Sequence, residues 1–290
     1  LLDKSSHEIS KHTIGLTGED EAKYDALLSN SNGIILLVGP TGSGKSTTMC
    51  AMLSELAGEE VNVVTLEDPV EYDIAGVNQC QINEKTGMTF ASGLMAILRQ
   101  DPDIIMIGEI RDGETAQISM RAAITGHVVL STIHTNDAVG TIERLEDIGV
   151  EPYLIATALR AVISQRLVRR ICPKCKKSYE ATDEEVRRLG LSTEHKHIFY
   201  RGEGCADCFN TGYRGRIGVF EILEITPEIR PLISQQAGRP AIEQELASAH
   251  SEFKTLRENA IQLVEEGITT TEEVQRVIYE TGDMKKAEEE

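Results

Sequence analysis

The chain has 290 residues, which accommodates one large α/β domain with smaller appendages. Its formal net charge of -18 disfavours non-specific binding to nucleic acid, because that binding depends mainly on neutralising phosphates with basic side chains. Its apolar runs fall short of the ~18 residues of a membrane span, so we expect no transmembrane segment.

The N-terminal part of the chain leads from a short helix into a buried strand. Residues 19–29 have the pattern of a helix that Thr17 or Gly18 opens. A turn of asparagine, serine and glycine follows at residues 30–33. The unbroken β-branched and leucine run at residues 34–38 then predicts a strand buried on both faces, as in a parallel sheet.

A glycine-rich turn and a helical pattern at residues 48–56 follow this predicted strand. A G-x-x-x-x-G-K-S sequence in that context is typical of a phosphate-binding loop. Gly42 and Gly44 let successive backbone N–H groups point into one concavity, at a helix start that carries partial positive charge. Lys45 can then contact the β- and γ-phosphates and Ser46 can ligate Mg²⁺, so the segment predicts binding of ATP. The predicted loop consists of Gly39, Pro40, Thr41, Gly42, Ser43, Gly44, Lys45, Ser46 and Thr47.

Strands and helices alternate through the next part of the sequence. Predicted strands at residues 61–66, 103–107 and 127–132 are separated by helical patterns. These helical patterns cover residues 90–99, 113–125, 138–145 and 152–167. The alternation predicts an α/β fold with a parallel sheet and helices on both faces.

Acidic residues follow two of these strands, at the edge where open α/β sheets bind ligands. Glu109 comes just after the strand at residues 103–107, in place of the usual aspartate, and we expect it to hold Mg²⁺ through a water. Glu67 and Glu71 follow the neighbouring strand, and Glu67 is the favoured catalytic base because it lies closest to its strand. Solvated loop carboxylates with no catalytic role are the alternative.

His134 follows the last of these predicted strands and is a candidate for the same site. It would sense the γ-phosphate or couple the site to a neighbouring subunit. A packed or hydrogen-bonded structural histidine is the alternative, and His127 at the start of that strand is expected to have such a role.

Two C-x-x-C pairs separated by 29 residues follow the predicted core. Their four thiolates can surround one tetrahedral ion, so we expect a structural zinc site. A redox pair is the functional alternative, and His195 or His197 could replace a cysteine ligand. The other two thiols, Cys50 and Cys80, are expected to be inert. The predicted zinc ligands are Cys172, Cys175, Cys205 and Cys208.

Composition along the chain predicts three parts. Residues 1–170 form the α/β core, residues 171–216 form a cysteine-rich metal-binding subdomain, and residues 217–290 form a C-terminal helical subdomain. The polar tail at residues 283–290 is expected to fray.

Four motifs, in their order and spacing, resemble those of the secretion ATPase superfamily. After the loop at residues 39–47, the segments at residues 65–71, 98–112 and 125–137 match that family's Asp box, atypical Walker B motif and His box. The cysteine module and residues 165–169 resemble the assembly branch of the family. That branch comprises the type II secretion ATPases and the type IV pilus-assembly ATPases.

The resemblance implies a RecA-like P-loop NTPase core that forms hexamers, in which Mg²⁺-dependent ATP hydrolysis moves the subunits. That motion would drive an inner-membrane platform protein that adds pilin or pseudopilin subunits, with a membrane-anchored cytoplasmic adaptor as a second partner. The location would be cytoplasmic and peripheral, at the inner membrane. The resemblance also implies that Glu67 is catalytic, and that Lys45, Glu109 and His134 occupy the Walker A, Walker B and His-box positions.

Members of this family carry two regions before the core, and residues 1–4 match the end of the second region. That second region, a PAS-like domain, supplies arginines to the ATP site. We therefore expect a fragment that binds nucleotide and hydrolyses it poorly, since such arginines are worth roughly 10³–10⁵ in turnover. Four arginines of the core are candidates for charge interactions: Arg99, Arg111, Arg121 and Arg144.

Two other functions remain open at this point. A nucleic-acid translocase or helicase would share the fold, but the acidity and the absence of interleaved aromatic and basic residues disfavour it, and no nucleic-acid partner is expected. A nucleotide-gated scaffold would bind ATP without hydrolysing it, which the full set of carboxylates disfavours.

Overall fold

The computed structural model describes residues 9–248 and 252–281, with side chains as far as residue 276. The predicted match at residues 1–4 and the predicted frayed tail at residues 283–290 lie outside these described residues. Within the described part of the chain, no helix is both long and apolar enough to cross a bilayer.

Two compact units make up the chain, and each combines two separate stretches. Leu1–Gln165 and Ile222–Phe253 form the first unit. Arg166–Glu221 and Lys254–Glu290 form the second unit. The division into three parts that composition suggests stays a prediction.

The helices and strands alternate through the first part of the chain. In order they are α1 (Lys11–Ile14), α2 (Gly18–Leu28), β1 (Gly33–Val38), α3 (Lys45–Leu56), β2 (Val63–Glu67), β3 (Val77–Gln81), α4 (Phe90–Ile97), β4 (Ile104–Ile107), α5 (Gly113–Ile124), β5 (Val128–Ile133), α6 (Ala138–Asp147), α7 (Pro152–Ala158) and β6 (Leu159–Ile171). The later elements are β7 (Lys176–Glu180), α8 (Asp183–Arg188), β8 (Ile198–Gly202), β9 (Tyr213–Glu224), α9 (Ile229–Ser234), α10 (Arg239–Leu246), α11 (Leu256–Glu265) and α12 (Thr271–Thr281). Short 3₁₀ turns occur at Glu84–Thr86 and Ala206–Cys208.

A mostly parallel sheet has seven strands in the order β3-β2-β4-β5-β1-β6-β9, and strands β1 to β5 lie wholly within the first unit. Each neighbouring pair from β3 to β6 runs parallel. Strands β1, β2, β4 and β5 are buried along their whole length, in agreement with their mostly apolar sequences. The predicted α/β class with a mostly parallel sheet is therefore confirmed.

The helices that follow β4 and β5 begin at capping aspartates close to the strand ends. Asp112 accepts a hydrogen bond from the backbone N–H of Thr115 at 2.8 Å at the start of α5. Asp137 accepts one from the N–H of Gly140 at 2.7 Å at the start of α6. These caps satisfy N–H groups that a helix start leaves unpaired, so they fix where each loop of the site ends.

One predicted helix is wrong. The pattern at residues 152–167 predicts a single helix, but α7 ends at Ala158 and the chain continues as strand β6 from Leu159. The open edge of β1 needs a backbone partner, and the β-branched residues Val162 and Ile163 pair with it. Strand β3 was not predicted either, because its polar sequence carries no clear strand pattern.

The second unit has its own core and a two-stranded antiparallel sheet of β7 and β8. Helix α8 lies between the two cysteine pairs, and Thr182 and Glu185 form a capping box at its start. The buried core consists of Val168, Val186, Leu189, Phe199, Val219, Leu256, Ala260, Val264 and Val274.

Glu273 is a buried carboxylate of the second unit, only 2% exposed. It accepts hydrogen bonds from the backbone N–H of Arg169 at 2.8 Å, from Nε of Arg169 at 2.9 Å and from Nη2 of Arg276 at 3.2 Å. Burial alone would raise the pKa of Glu273, but these hydrogen bonds outweigh burial and hold the pKa below its ordinary value.

We predict that Glu273→Gln lowers the free energy of unfolding by about 1–3 kcal/mol at pH 7, because the charge-assisted hydrogen bonds are lost. A carboxylate with a lowered folded-state pKa stabilises the fold above its unfolded pKa of about 4.3, and that contribution disappears as pH falls through the folded pKa. Urea unfolding of the chain from pH 7 down to pH 3 measures the difference. The exposed neighbour Glu272 provides the control Glu272→Gln. An equal loss at every pH would contradict the prediction.

Candidate functional site

The predicted phosphate-binding loop runs from the end of β1 to the start of α3. Its three glycines have left-handed backbone angles, with φ of 141° at Gly39, 80° at Gly42 and 95° at Gly44. Residues with a side chain rarely adopt these angles, which explains the glycine pattern. Gly44 is the N-cap of α3, so the unpaired N–H groups of the first helical turn border the loop.

Two side chains of this loop indicate what it can bind. Nζ of Lys45 donates hydrogen bonds to the carbonyl oxygens of Gly39 at 2.8 Å and Pro40 at 3.2 Å, so the ammonium group lies against the loop. Oγ of Ser43 is buried and has no hydrogen-bond partner within the described part of the chain. A set of backbone amides, an ammonium group and an unsatisfied hydroxyl fits a bound polyphosphate.

Glu67 is the last residue of β2 and is 8% exposed. Its Oε1 accepts hydrogen bonds from Oγ1 of Thr65 at 2.6 Å and from Nε2 of Gln79 at 2.9 Å. Glu71 lies exposed on the following loop. Sequence reasoning missed Thr65 and Gln79. The two-residue spacing from Glu67 could have indicated Thr65, whereas Gln79 reaches Glu67 only through the pairing of β3 with β2.

Glu109 lies in the loop after β4 and contacts the predicted histidine. Nε2 of His134 lies 3.3 Å from Oε2 of Glu109. Arg111 donates to Oε1 of Glu109 from Nε at 2.7 Å and also from Nη2, and this hydrogen bonding raises the pKa of Arg111. Nη2 of Arg111 also lies 3.6 Å from Asp68. The structure therefore brings Glu109 and His134 together, and joins them to the Asp-box loop through Arg111.

Backbone hydrogen bonds align the ends of three strands at one edge of the sheet. The N–H of Gly108 donates to the carbonyl of Leu66 at 2.7 Å, which links β4 to β2. Oγ1 of Thr132 donates to the carbonyl of Gly108 at 2.8 Å, which links β5 to β4. A Cβ on Gly108 would lie only 3.2 Å from the Leu66 oxygen, so a larger residue would push the strand ends apart. The loop after β1 emerges at the same edge, since β1 and β5 are parallel.

A buried polar contact anchors the helix of the phosphate-binding loop. Oγ1 of Thr48 in α3 donates to Oε1 of Gln165 in β6 at 2.9 Å. Both residues are 1% exposed or less. This contact ties the helix that follows the loop to the strand beside β1, so it fixes the direction in which α3 leaves the sheet.

The four predicted cysteines of the second unit form one cluster. Their sulfur atoms all lie within 4.8 Å of one another, which is close enough for one metal ion. Individual Sγ–Sγ distances are 3.9 Å for Cys172 to Cys205, 3.8 Å for Cys175 to Cys208 and 3.7 Å for Cys205 to Cys208. All six cysteines of the chain are free, so no disulfide competes for these thiols. The cluster can hold a metal ion.

Backbone N–H groups beside the cluster favour the thiolate form of one cysteine, Cys208. Desolvation alone would raise the pKa of Cys208, but hydrogen bonds from the backbone N–H groups of Cys205 and Gly212 help to lower it to about 6. Desolvation raises the pKa of Cys175 to about 12. His197 is directed elsewhere, because its Nε2 contacts the carbonyl of Ser192 at 2.9 Å.

Comparison with known proteins places this arrangement in a family. The sequence profile of the family described as Type II/IV secretion system protein matches residues 1–276. The chain belongs to this family. The resemblance inferred from the four motifs is therefore confirmed.

Members of the family with established names are close in sequence. The Type II secretion system ATPase E of Vibrio cholerae is 47% identical over 281 residues, which is 97% of this chain and 55% of that protein. The Type IV pilus assembly ATPase PilB of Thermus thermophilus is 47% identical over 276 residues, which is 94% of this chain and 31% of that protein. The chain thus spans about half the length of the type II secretion relative and about a third of the length of the pilus relative.

Solved structures agree with the fold. The pilus retraction motor PilT with bound ADP gives a TM-score of 0.69 at 29% identity, over 92% of this chain and 66% of that chain. The Legionella pneumophila ATPase DotB gives a TM-score of 0.67 at 23% identity, over 93% of this chain and 65% of that chain, and supports the fold alone. The RecA-like fold that the resemblance to secretion ATPases implied is thus confirmed.

We predict that Thr48→Val lowers the free energy of unfolding by about 1–3 kcal/mol, because the buried Oε1 of Gln165 loses a donor that water cannot replace. Urea unfolding followed by circular dichroism measures the loss. The control is Thr125→Val, whose exposed hydroxyl can be replaced by water. Equal unfolding midpoints for the two variants would contradict the prediction.

Proposed function

We propose that this chain is the ATP-hydrolysing part of a hexameric motor that powers type II protein secretion or type IV pilus assembly. The observation that carries the proposal is the position of Glu67 and Glu109 at the ends of adjacent parallel strands, at the sheet edge where the loop containing Lys45 emerges. Ligands of open α/β sheets bind at this edge. The names of the relatives, both ATPases of such machines, support the coupling to secretion or pilus assembly.

In this proposal the loop at residues 39–47 and Lys45 bind the phosphates of ATP. Ser46 would ligate Mg²⁺ and Glu109 would hold it through a water; when bound, the ion neutralises phosphate charge. Glu67 takes the proton of the attacking water, as a buried carboxylate held in one orientation can do. His134 contacts Glu109, so it can respond to changes at the γ-phosphate and pass them to a neighbouring subunit.

The proposed partners follow from the family. Six copies of the protein would form the ring, next to an inner-membrane platform protein and a membrane-anchored adaptor, at the cytoplasmic face of the inner membrane. The nucleic-acid translocase is disfavoured by the net charge of -18 and by the names of the relatives. Stimulation of ATP hydrolysis by single-stranded DNA at physiological salt would favour that alternative.

Two substitutions separate binding from hydrolysis. We predict that Lys45→Ala removes ATP binding, because the ammonium that contacts the phosphates is lost. Glu67→Gln should bind ATP as the unmodified chain does and hydrolyse it about 10²–10⁴-fold more slowly, because the base is lost. Calorimetry measures binding, and phosphate release with protein in excess over ATP measures hydrolysis, since slow turnover is expected of this chain.

The results for Lys45→Ala and Glu67→Gln can contradict the proposed site in different ways. Normal hydrolysis by Glu67→Gln would move the base to Glu71 or Glu109. Normal hydrolysis by Lys45→Ala would remove the loop from the mechanism. Hydrolysis that neither variant affects would overturn the proposed site as a whole.

We further propose that the cysteine cluster binds one structural Zn²⁺. Four thiolates with no open coordination position are typical of structural zinc sites. Elemental analysis of the purified chain should give about one zinc per chain, and Cys208→Ser should reduce that content. The control Cys50→Ser changes a buried thiol outside the cluster and should leave the zinc content unchanged. Less than about one tenth of a zinc per chain after purification without chelators would contradict the assignment.

A further inference from the structure

The side-chain amide of Gln79 on β3 contacts the candidate base of the ATPase site. In the parallel register of β2 and β3, Thr65 pairs with Gln79 and Glu67 pairs with Gln81. Side chains two residues apart on a strand lie on the same face, so Thr65 and Glu67 are neighbours on one face. Gln79 lies beside them on the adjacent strand, and both Thr65 and Gln79 donate to Oε1 of Glu67.

The Gln79 amide group has hydrogen-bond partners at both its oxygen and its nitrogen. Its Oε1 accepts from the backbone N–H of Ile74 at 3.0 Å. Its Nε2 donates to the carbonyl of Tyr72 at 2.9 Å and to Glu67 at 2.9 Å. Because the N–H of Ile74 can only donate, the oxygen of the amide must face Ile74 and its nitrogen must face Glu67. The amide therefore holds the Asp-box loop and the carboxylate of Glu67 in one arrangement.

The two carboxylate oxygens of Glu67 differ in the hydrogen bonds that they accept. Oε1 accepts two hydrogen bonds, whereas Oε2 accepts none from the described residues. Neutral donors stabilise the ionised form of a carboxylate, which is the form that can act as a base. Fixing Oε1 also restricts rotation of the side chain, so that Oε2 keeps one direction in which to accept a proton.

We propose that Gln79 is a positioning residue for ATP hydrolysis: it fixes Oε1 of Glu67 and leaves Oε2 to accept the proton of the attacking water. The inference rests on the proposed function of Glu67 as the base. Gln79 itself need not touch ATP, so its loss should affect the hydrolytic step and leave ATP binding unchanged.

The first test measures the carboxyl group directly. The ¹³C signal of the Glu67 carboxyl is followed by NMR of chain labelled at the glutamate side chains, and it is assigned by its absence in Glu67→Gln. In Gln79→Leu we expect this signal to shift, because Oε1 of Glu67 loses one of its two donors. Gln79→Glu changes the shape of the side chain least, and we expect it to shift the signal as well, because a carboxylate cannot replace the amide donor.

A matched control comes from the same strand. Gln81 is a second glutamine on the same face of β3, and its amide oxygen lies 3.4 Å from the backbone nitrogen of Val70 instead of contacting Glu67. Gln81→Leu should leave the ¹³C signal of Glu67 and the rate of hydrolysis unchanged. A loss caused only by disturbing β3 would appear in this variant as well.

The second test measures phosphate release with protein in excess over ATP, together with the affinity for ATP. For Gln79→Leu we expect the rate at pH 7 to fall about 10–100-fold with unchanged affinity for ATP.

The outcomes are distinct. A ¹³C signal of Glu67 that is the same in Gln79→Leu and Gln79→Glu as in the unmodified chain overturns the inference, whatever the rates are. An inactive Glu67→Gln together with a fully active Gln79→Leu overturns the inference and leaves the proposed function intact. Normal hydrolysis by Glu67→Gln overturns both, since the residue that Gln79 contacts would not be the base.

Discussion

The parallel pairing of the buried strands is the constraint on which the rest of the first unit depends. Strands β2, β4, β5 and β1 lie side by side with fixed registers, so their carboxyl ends meet at one edge. A shift of one residue in any register would move one strand end by about 3.3 Å relative to its neighbours. Strand pairing in a fixed register, with burial on both sheet faces, therefore holds Glu67 and Glu109 at this edge.

Charged groups at such an edge need partners, and the structure supplies different partners to the two carboxylates. Glu67 is buried and accepts hydrogen bonds from two neutral groups, Thr65 and Gln79. Glu109 is more exposed and contacts the cation Arg111 as well as His134. These environments suit a proton acceptor and a metal-holding group, respectively, which agrees with the roles proposed for them.

The second unit stabilises itself by different means. Its apolar core is smaller, and two groups of polar side chains accompany that core. These are the cluster of four cysteine sulfurs and the buried carboxylate of Glu273 with its arginine partners. Both groups connect segments that are distant in the sequence. Metal binding can supply much of the folding free energy of a segment with little core.

The sequence by itself determined the glycine-rich loop between β1 and α3, the grouping of the four cysteines and the class of the fold, because each depends on residues that are contiguous or regularly spaced. The loop around Lys45 depends on the backbone angles of its own glycines. Each C-x-x-C pair places two thiols close together through its two-residue spacing. Only the tertiary structure decided that residues 159–167 are a strand and that Gln79 reaches Glu67. Both features depend on the order of the strands in the sheet. That order is set by backbone pairing between residues far apart in the chain. The local pattern at residues 152–167 is compatible with a helix, so it could not indicate the strand.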